Sequence, residues 1–207
     1  MPRPAHDLRS NQGTWAVAAG QLPAVAAQMI QTLPAEKFDP DFLGQELKTT
    51  YFDTRAFALV KARRQGDKYL TLRLRCYEPA HVYALSVKTE SHKFRQVIAG
   101  DLAAMLLADG IAATLWASLL PADLVARLME LADADLLVPV VALCCRRYAV
   151  ENAQDRLTLD VDIASDTGKR YPSGVLEYKS TQANPNFLLS MPLRPLKLSK
   201  FLWSVSY

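Results

Sequence analysis

Tyr69-Leu70-Thr71-Leu72-Arg73-Leu74-Arg75-Cys76-Tyr77 is the stretch on which the reading of the fold turns. In a strand successive side chains leave on opposite faces, so Leu70, Leu72 and Leu74 share one side and Thr71, Arg73, Arg75 and Tyr77 the other. The same separation recurs in RLTLDVDI, where Leu157, Leu159, Val161 and Ile163 oppose Arg156, Thr158, Asp160 and Asp162. In VLEYK, Glu177 and Lys179 share a face; Ser86 pairs in this way with Lys88, and Arg146 is in step with Tyr148. A single strand of this kind reads as the wet side of a half-buried antiparallel sheet. Several of them with Arg or Lys at internal positions read differently, because like charges facing each other across a ladder cost stability unless an anion lies between them. A phosphate chain supplies that anion, and Arg suits it through paired, charge-assisted hydrogen bonds while Lys adds a mobile point charge. The expected fold class is α+β: a barrel-like antiparallel sheet, polar and basic inside, with helices covering its apolar outer faces.

The remaining chain supplies those elements. GTWAVAA (13–19) predicts a strand and Leu22–Leu33 a helix with Pro23 in its first turn. TTYFDT from Thr49, Phe57–Arg63, Lys68–Tyr77 and Val82–Lys88 predict a meander, broken at Gln65-Gly66-Asp67 and Glu78-Pro79. Asp53 fits a strand end or turn as well as a ligand contact. A helical insertion is expected at about 92–133, with Asp101 capping Leu102–Ala108, Gly110 ending that helix and Pro121 opening another. Strands at 137–150, 156–164 and 175–181 follow, then short helices near 184–191 and 198–204. The whole, 1–207, reads as one domain.

Composition narrows the class. Half of the 207 residues are hydrophobic and 22% are charged, which is a globular balance; the net charge of +3 is too small to imply a nucleic-acid partner by itself. The cysteines, Cys76 and the adjacent Cys144 and Cys145, lack C-x-x-C spacing, and His6, His81 and His92 lack the spacing of a metal cluster. Met1-Pro2-Arg3-Pro4 does not start like a secretory signal. Leu102–Ala122 approaches the roughly 20 residues of a membrane span but is broken by Asp109, Gly110 and Pro121, so two short buried helices are expected there. The expectation is a cytoplasmic protein without a transmembrane segment, which leaves room for a membrane partner.

In the order Tyr51-Phe52-Asp53-Thr54, LRLRCY, LSVK with Lys93 and Arg95, Arg146 with Tyr148, RLTLDVD, VLEYK and the terminal LSKF, these segments resemble the VTC domain (vacuolar transporter chaperone). That domain is the polyphosphate polymerase branch of the triphosphate tunnel metalloenzymes. The resemblance runs from about Thr49 to the end and implies an eight-stranded antiparallel tunnel for a nucleoside triphosphate, inorganic triphosphate or polyphosphate. By matching motif, Arg73, Arg75, Lys88, Arg146, Arg156 and Lys179 would grip phosphates, Lys93 would line the tunnel, Ser199 and Lys200 would bind from the last helix, and Glu177 would ligate Mn²⁺ or Mg²⁺. Two departures stand out: GTWAVAA lacks the family's E-x-K-like pattern, and Ser86 replaces the Glu that usually precedes the lysine of the LEIK-like strand. The implied activity is metal-dependent transfer of a terminal phosphoryl to a polyphosphate chain. Its alternatives are an inorganic triphosphatase, with water as acceptor, and a non-catalytic polyphosphate-binding module. No nucleic acid is expected as partner, since the sheet lacks a spread of aromatic stacking platforms.

Overall fold

The computed structural model describes residues 11–32, 37–38, 44–65, 70–90, 92–132, 136–181, 193–196 and 199–205. In chain order the elements are β1 (Asn11–Val17), α1 (Leu22–Thr32), β2 (Lys37–Phe38), β3 (Gln45–Asp53), α2 (Ala58–Gln65), β4 (Leu70–Tyr77), β5 (Val82–Thr89), β6 (Lys93–Ile98) and α3 (Gly100–Asp109). They continue with β7 (Ile111–Ala112), α4 (Ala113–Leu119), α5 (Ala122–Ala132), β8 (Leu136–Glu151), β9 (Asp155–Ser165), β10 (Gly174–Ser180), β11 (Arg194–Pro195) and α6 (Lys200–Ser204). The helix expected near 184–191 lies outside the described residues. The chain divides into two compact units, one formed by residues 48–143 and the other by the described residues up to 47 together with 144–205.

In the first unit the strands run in the order β8, β3, β4, β5, β6, the first of these through its N-terminal half. The β4–β5 ladder sets Leu70 opposite Thr89, Leu72 opposite Val87 and Leu74 opposite Leu85. Their side chains are buried with Phe52, Leu106, Trp116 and Leu128, so α3, α4 and α5 cover the leucine face. Burying a Leu side chain contributes about 1.5–3 kcal/mol, which makes this row the main attachment of the helices. Gly110 ends α3 at φ 83°, and a Cβ there would lie 2.4 Å from the Leu137 carbonyl oxygen; the chain can turn into β7 only because the position is glycine.

Two sequence expectations change here. Phe57–Arg63 is not a strand but the start of α2. Asp53, fully buried at the end of β3, accepts hydrogen bonds from the backbone N–H of Thr54 (2.7 Å), Leu59 (2.8 Å) and Val60 (2.9 Å), while the Thr54 hydroxyl accepts from Ala58 N–H (3.0 Å). These bonds satisfy the orphan donors of a first helical turn, and that local chemistry outweighs the β-tendency of the short apolar run. Residues 93–98, placed in the helical insertion, instead form β6, because KFRQVI pairs along β5 from Lys93↔Lys88 to Ile98↔Tyr83.

In the second unit the order is β11, β1, β10, β9, β8, with the C-terminal half of β8. Val17, Tyr148, Val150, Leu157, Leu159, Leu176 and Tyr178 meet Val25 and Met29 of α1 on one face. The α+β antiparallel class expected from the sequence is therefore present. Its closure into an eight-stranded barrel is not: among the described residues no pairing joins the edge strands β6 and β11, and each strand path remains open.

Candidate functional site

Each unit presents a charged face opposite its apolar one. In the first, the ladder brings Arg73 opposite Ser86, Arg75 opposite Ala84 and Lys88 opposite both Thr71 and Lys93, with Arg95 opposite Ser86. Residues directly opposite each other point to the same side, so Arg73, Arg75, Lys88, Lys93 and Arg95 share it. Arg63 joins them from α2, its guanidinium donating to the Thr71 hydroxyl at 2.5 Å. Arg75 donates through Nε to Thr49 Oγ1 (3.1 Å), and Arg95 donates to the Tyr77 hydroxyl (2.7 Å). Both guanidiniums also lie near the Tyr77 ring, 5.9 and 5.1 Å from its centre, which fixes their planes by cation–π attraction. The only carboxylate at the β3–β6 positions of this face is Asp53, and its oxygens are occupied by the N-terminus of α2.

In the second unit the β9–β10 register sets Glu177 opposite Thr158, Lys179 opposite Arg156 and Val175 opposite Asp160. Asp160 is the centre of this face, with 2% of its side chain exposed. Arg147 holds it by two parallel bonds, Nε to Oδ1 at 2.5 Å and Nη2 to Oδ2 at 2.6 Å, and Lys200 of α6 donates to Oδ2 as well. Burial raises the Asp160 pKa, but Arg147 and Lys200 together outweigh it and keep the carboxyl well below the usual carboxylate range. Glu177 lies 3.4 Å from Lys179 Nζ, and Arg156 Nε lies 3.7 Å from Glu151. Desolvation pushes Glu177 up, whereas the charges of Lys179, Arg147 and Lys200 pull it down further, to about 2.

Of the residues singled out from the sequence, Arg73, Arg75, Lys88 and Lys93 come together in the first unit, and Arg156, Glu177, Lys179 and Lys200 in the second. Ser199 is committed to its own helix, its hydroxyl accepting from Leu202 N–H at 3.3 Å as the N-cap of α6. Arg146 stands apart. It has the parity of Tyr148 and Val150, which pack on the α1 side, and its exposed guanidinium pairs with Glu46 at 3.3 Å. Its neighbour Arg147 occupies the Asp160 face in its place. Sequence reasoning missed this because Cys144-Cys145-Arg146-Arg147 is equally polar in both phases of a two-residue period. Asp162 lies beyond the β9–β10 ladder, which ends at Asp160, and is exposed with φ 52°.

A hard divalent cation takes six or more oxygens, and Mg²⁺ commonly accepts one or two carboxylates with water and substrate phosphate completing the shell. The face fits the lower end of that requirement. Asp160 is held by Arg147 and Lys200, and β1 sets Thr14 opposite Glu177 and Ala16 opposite Val175, so the other carboxylates on this face are Glu177, beside Lys179, and Glu151, beside Arg156.

No family model matches the sequence, and no curated protein matches it. Solved structures do. A candidate adenylate cyclase of Bacillus halodurans superposes with a TM-score of 0.58 at 17% identity, covering 83% of this chain and 80% of its own. A candidate adenylyl cyclase from Hippeastrum, whose dominant activity is that of a triphosphatase, gives 0.59 at 17% identity over 95% and 96%. A candidate adenylate cyclase of Vibrio parahaemolyticus gives 0.54 at 15% identity over 94% and 98%. The fold is theirs. No helix among the described residues is long and apolar enough to cross a membrane.

Proposed function

We propose that this protein binds the phosphate chain of a nucleoside triphosphate or inorganic triphosphate and cleaves it with water as acceptor. The observation that carries this reading is the row Arg73, Arg75, Lys88, Lys93 and Arg95, placed on one face by the β4–β5–β6 register. Lys88 and Lys93 stand directly opposite each other, and a polyanion laid along the face would offset the positive charge of the row. The Hippeastrum protein of the same fold, with its dominant triphosphatase activity, supports the choice of water as acceptor.

Phosphoryl transfer asks for positioning and charge neutralisation more than for a protein nucleophile. Arg73 and Arg75 would orient phosphate oxygens through their planar forks, Lys88 and Lys93 would offset the charge, and Arg156 and Lys179 would serve in the same way on the second unit's face. Glu177 would hold Mn²⁺ or Mg²⁺, which when bound polarises a phosphoryl oxygen. If a phosphate rather than water accepts, the same residues describe a polyphosphate polymerase, the reading implied by the VTC resemblance.

A second reading has its own observation. Thr14 and Ala16 stand on β1 opposite Glu177 and Val175, and Asp160, Glu177 and Glu151 are each already paired with a basic side chain, which leaves few carboxylate oxygens for metal and favours a basic face that binds without turnover. The deciding experiment incubates the protein with triphosphate or ATP and Mn²⁺, with and without a short polyphosphate primer, and follows phosphate and polymer. Phosphate release lost in Arg73→Ala and Glu177→Gln supports the triphosphatase; polymer supports the polymerase. Arg73-dependent binding without either product sinks both catalytic readings.

A further inference from the structure

The turn between β4 and β5 carries a cluster that neither charged face uses. Cys76 is the penultimate residue of β4 and lies opposite Tyr83 of β5, on the apolar side of the ladder; Glu78 and His81 come from the turn itself. Cys76 Sγ lies 3.2 Å from Glu78 Oε1, and His81 Nδ1 lies 3.1 Å from Glu78 Oε2. One ligand atom from each of the three residues falls within 4.8 Å of the others. With zinc bonds of about 2.3 Å to sulfur and about 2.0 Å to nitrogen and oxygen, the edges of a tetrahedron are about 3.3–3.5 Å; Cys76 and His81 reach opposite oxygens of Glu78, so a shared ion draws the three ligand atoms, now within 4.8 Å, together through side-chain rotation.

A second feature adjoins the cluster. A cavity of about 180 Å³ is lined by the same three residues together with Lys48, Thr50 and Tyr83. It is large enough for water and has polar groups to hold it. Cys76 is buried and gives a fixed anchor, whereas the His81 side chain is 70% exposed and gives a solvent entry path.

We propose that Cys76, Glu78 and His81 form a binding site for a zinc-class divalent cation, with three protein ligands and a fourth position open to the adjoining cavity. The donor set decides the class of ion. Thiolate and imidazole favour Zn²⁺ and Co²⁺ over Mg²⁺ and Mn²⁺, which prefer all-oxygen shells. Three protein ligands plus an open position is the arrangement of a zinc site that binds water or a small anion, and Lys48 supplies a countercharge for the latter. On binding, the Cys76 thiol gives its proton to solvent and the sulfur takes the metal, so one proton is released per ion at this ligand. The site is independent of the phosphate reading: its residues lie on the other side of the β4–β5 ladder from Arg73 and Arg75.

The test is titration of the chelator-stripped full chain with Zn²⁺ and Mg²⁺, and with Co²⁺ followed by absorption. The expected result is about one Zn²⁺ per chain, bound far more tightly than Mg²⁺, with a thiolate-to-cobalt charge-transfer band and tetrahedral d–d bands. Cys76→Ser abolishes the band. His81→Asn, which keeps a side chain suited to the left-handed backbone at this exposed position, weakens Zn²⁺ by roughly 100-fold or more, above the range seen when only an outer partner of a ligand is removed. Cys144→Ser and Cys145→Ser change neither. Zinc binding no tighter than magnesium, or undiminished in His81→Asn, overturns the proposal.

Discussion

Replacing Arg147 by Met removes one half of a buried ion pair and leaves the other half behind. Both side chains are largely shielded, 12% and 2% exposed, and the two bonds at 2.5 and 2.6 Å are the fork-to-carboxylate geometry that a guanidinium makes best. Breaking a buried pair by removing one partner costs about 3–5 kcal/mol, most of it the penalty of an uncompensated charge. Lys200 still reaches Asp160, so the lower end applies, about 3 kcal/mol. At about 2–4 °C per kcal/mol for a chain of this size, Tm falls by roughly 6–12 °C. The control is the adjacent Arg146→Met: its pair with Glu46 is exposed on both sides, and such pairs contribute about 0–1 kcal/mol. Urea unfolding of the two variants side by side measures the difference, and adding Asp160→Asn to Arg147→Met makes the double variant less unstable than the sum of its parts by about 1–3 kcal/mol. Equal destabilisation by the two arginine substitutions refutes the assignment of faces in β8.

Acid titration tests the same charges from another side. Folded Asp160 and Glu177 titrate below their ordinary values, so their contribution to stability is fully present above about pH 4.5 and is lost as pH falls toward 2. Unfolding measured over that interval is expected to steepen in the native chain and to flatten in part in Glu177→Gln. Asp53→Ala deprives three backbone N–H groups of their acceptor and should cost about 2 kcal/mol or more, with loss of amide protection confined first to α2; protection unchanged in Ala58–Gln65 would contradict the capping role. Arg73→Ala is expected to weaken triphosphate binding by about 10-fold or more while leaving Tm within about 2 °C, and to reduce the salt dependence of binding; a purely thermal effect would place Arg73 outside the site.

The strands with leucine at every second position were legible in the sequence. In LTLRLRCY, RLTLDVDI and VLEYK one parity is apolar throughout, so burial of that parity is worth several kcal/mol and a one-residue slip would expose all of it. The faces carrying Arg73, Arg75, Arg156, Glu177 and Lys179 follow from that alone. The capping of α2 was half visible: Asp53 reads as a strand end, yet only the folded chain shows its carboxylate reaching six and seven residues ahead.

What the sequence by itself determined, then, is alternation, and through it the α+β class and the chemistry of each face. Tertiary structure decided the choices that alternation leaves degenerate or does not address. Arg147 rather than Arg146 meets Asp160 because Tyr148 and Val150 are drawn to α1, a long-range packing preference that the polar run around them does not encode. Lys200 finds Asp160 across forty residues, and Cys76, Glu78 and His81 converge only when the β4–β5 turn closes. Hydrophobic burial acts on every residue of a strand and leaves a periodic trace in sequence, whereas an ion pair or a metal-ligand set depends on the position of a few atoms that only the completed fold brings together.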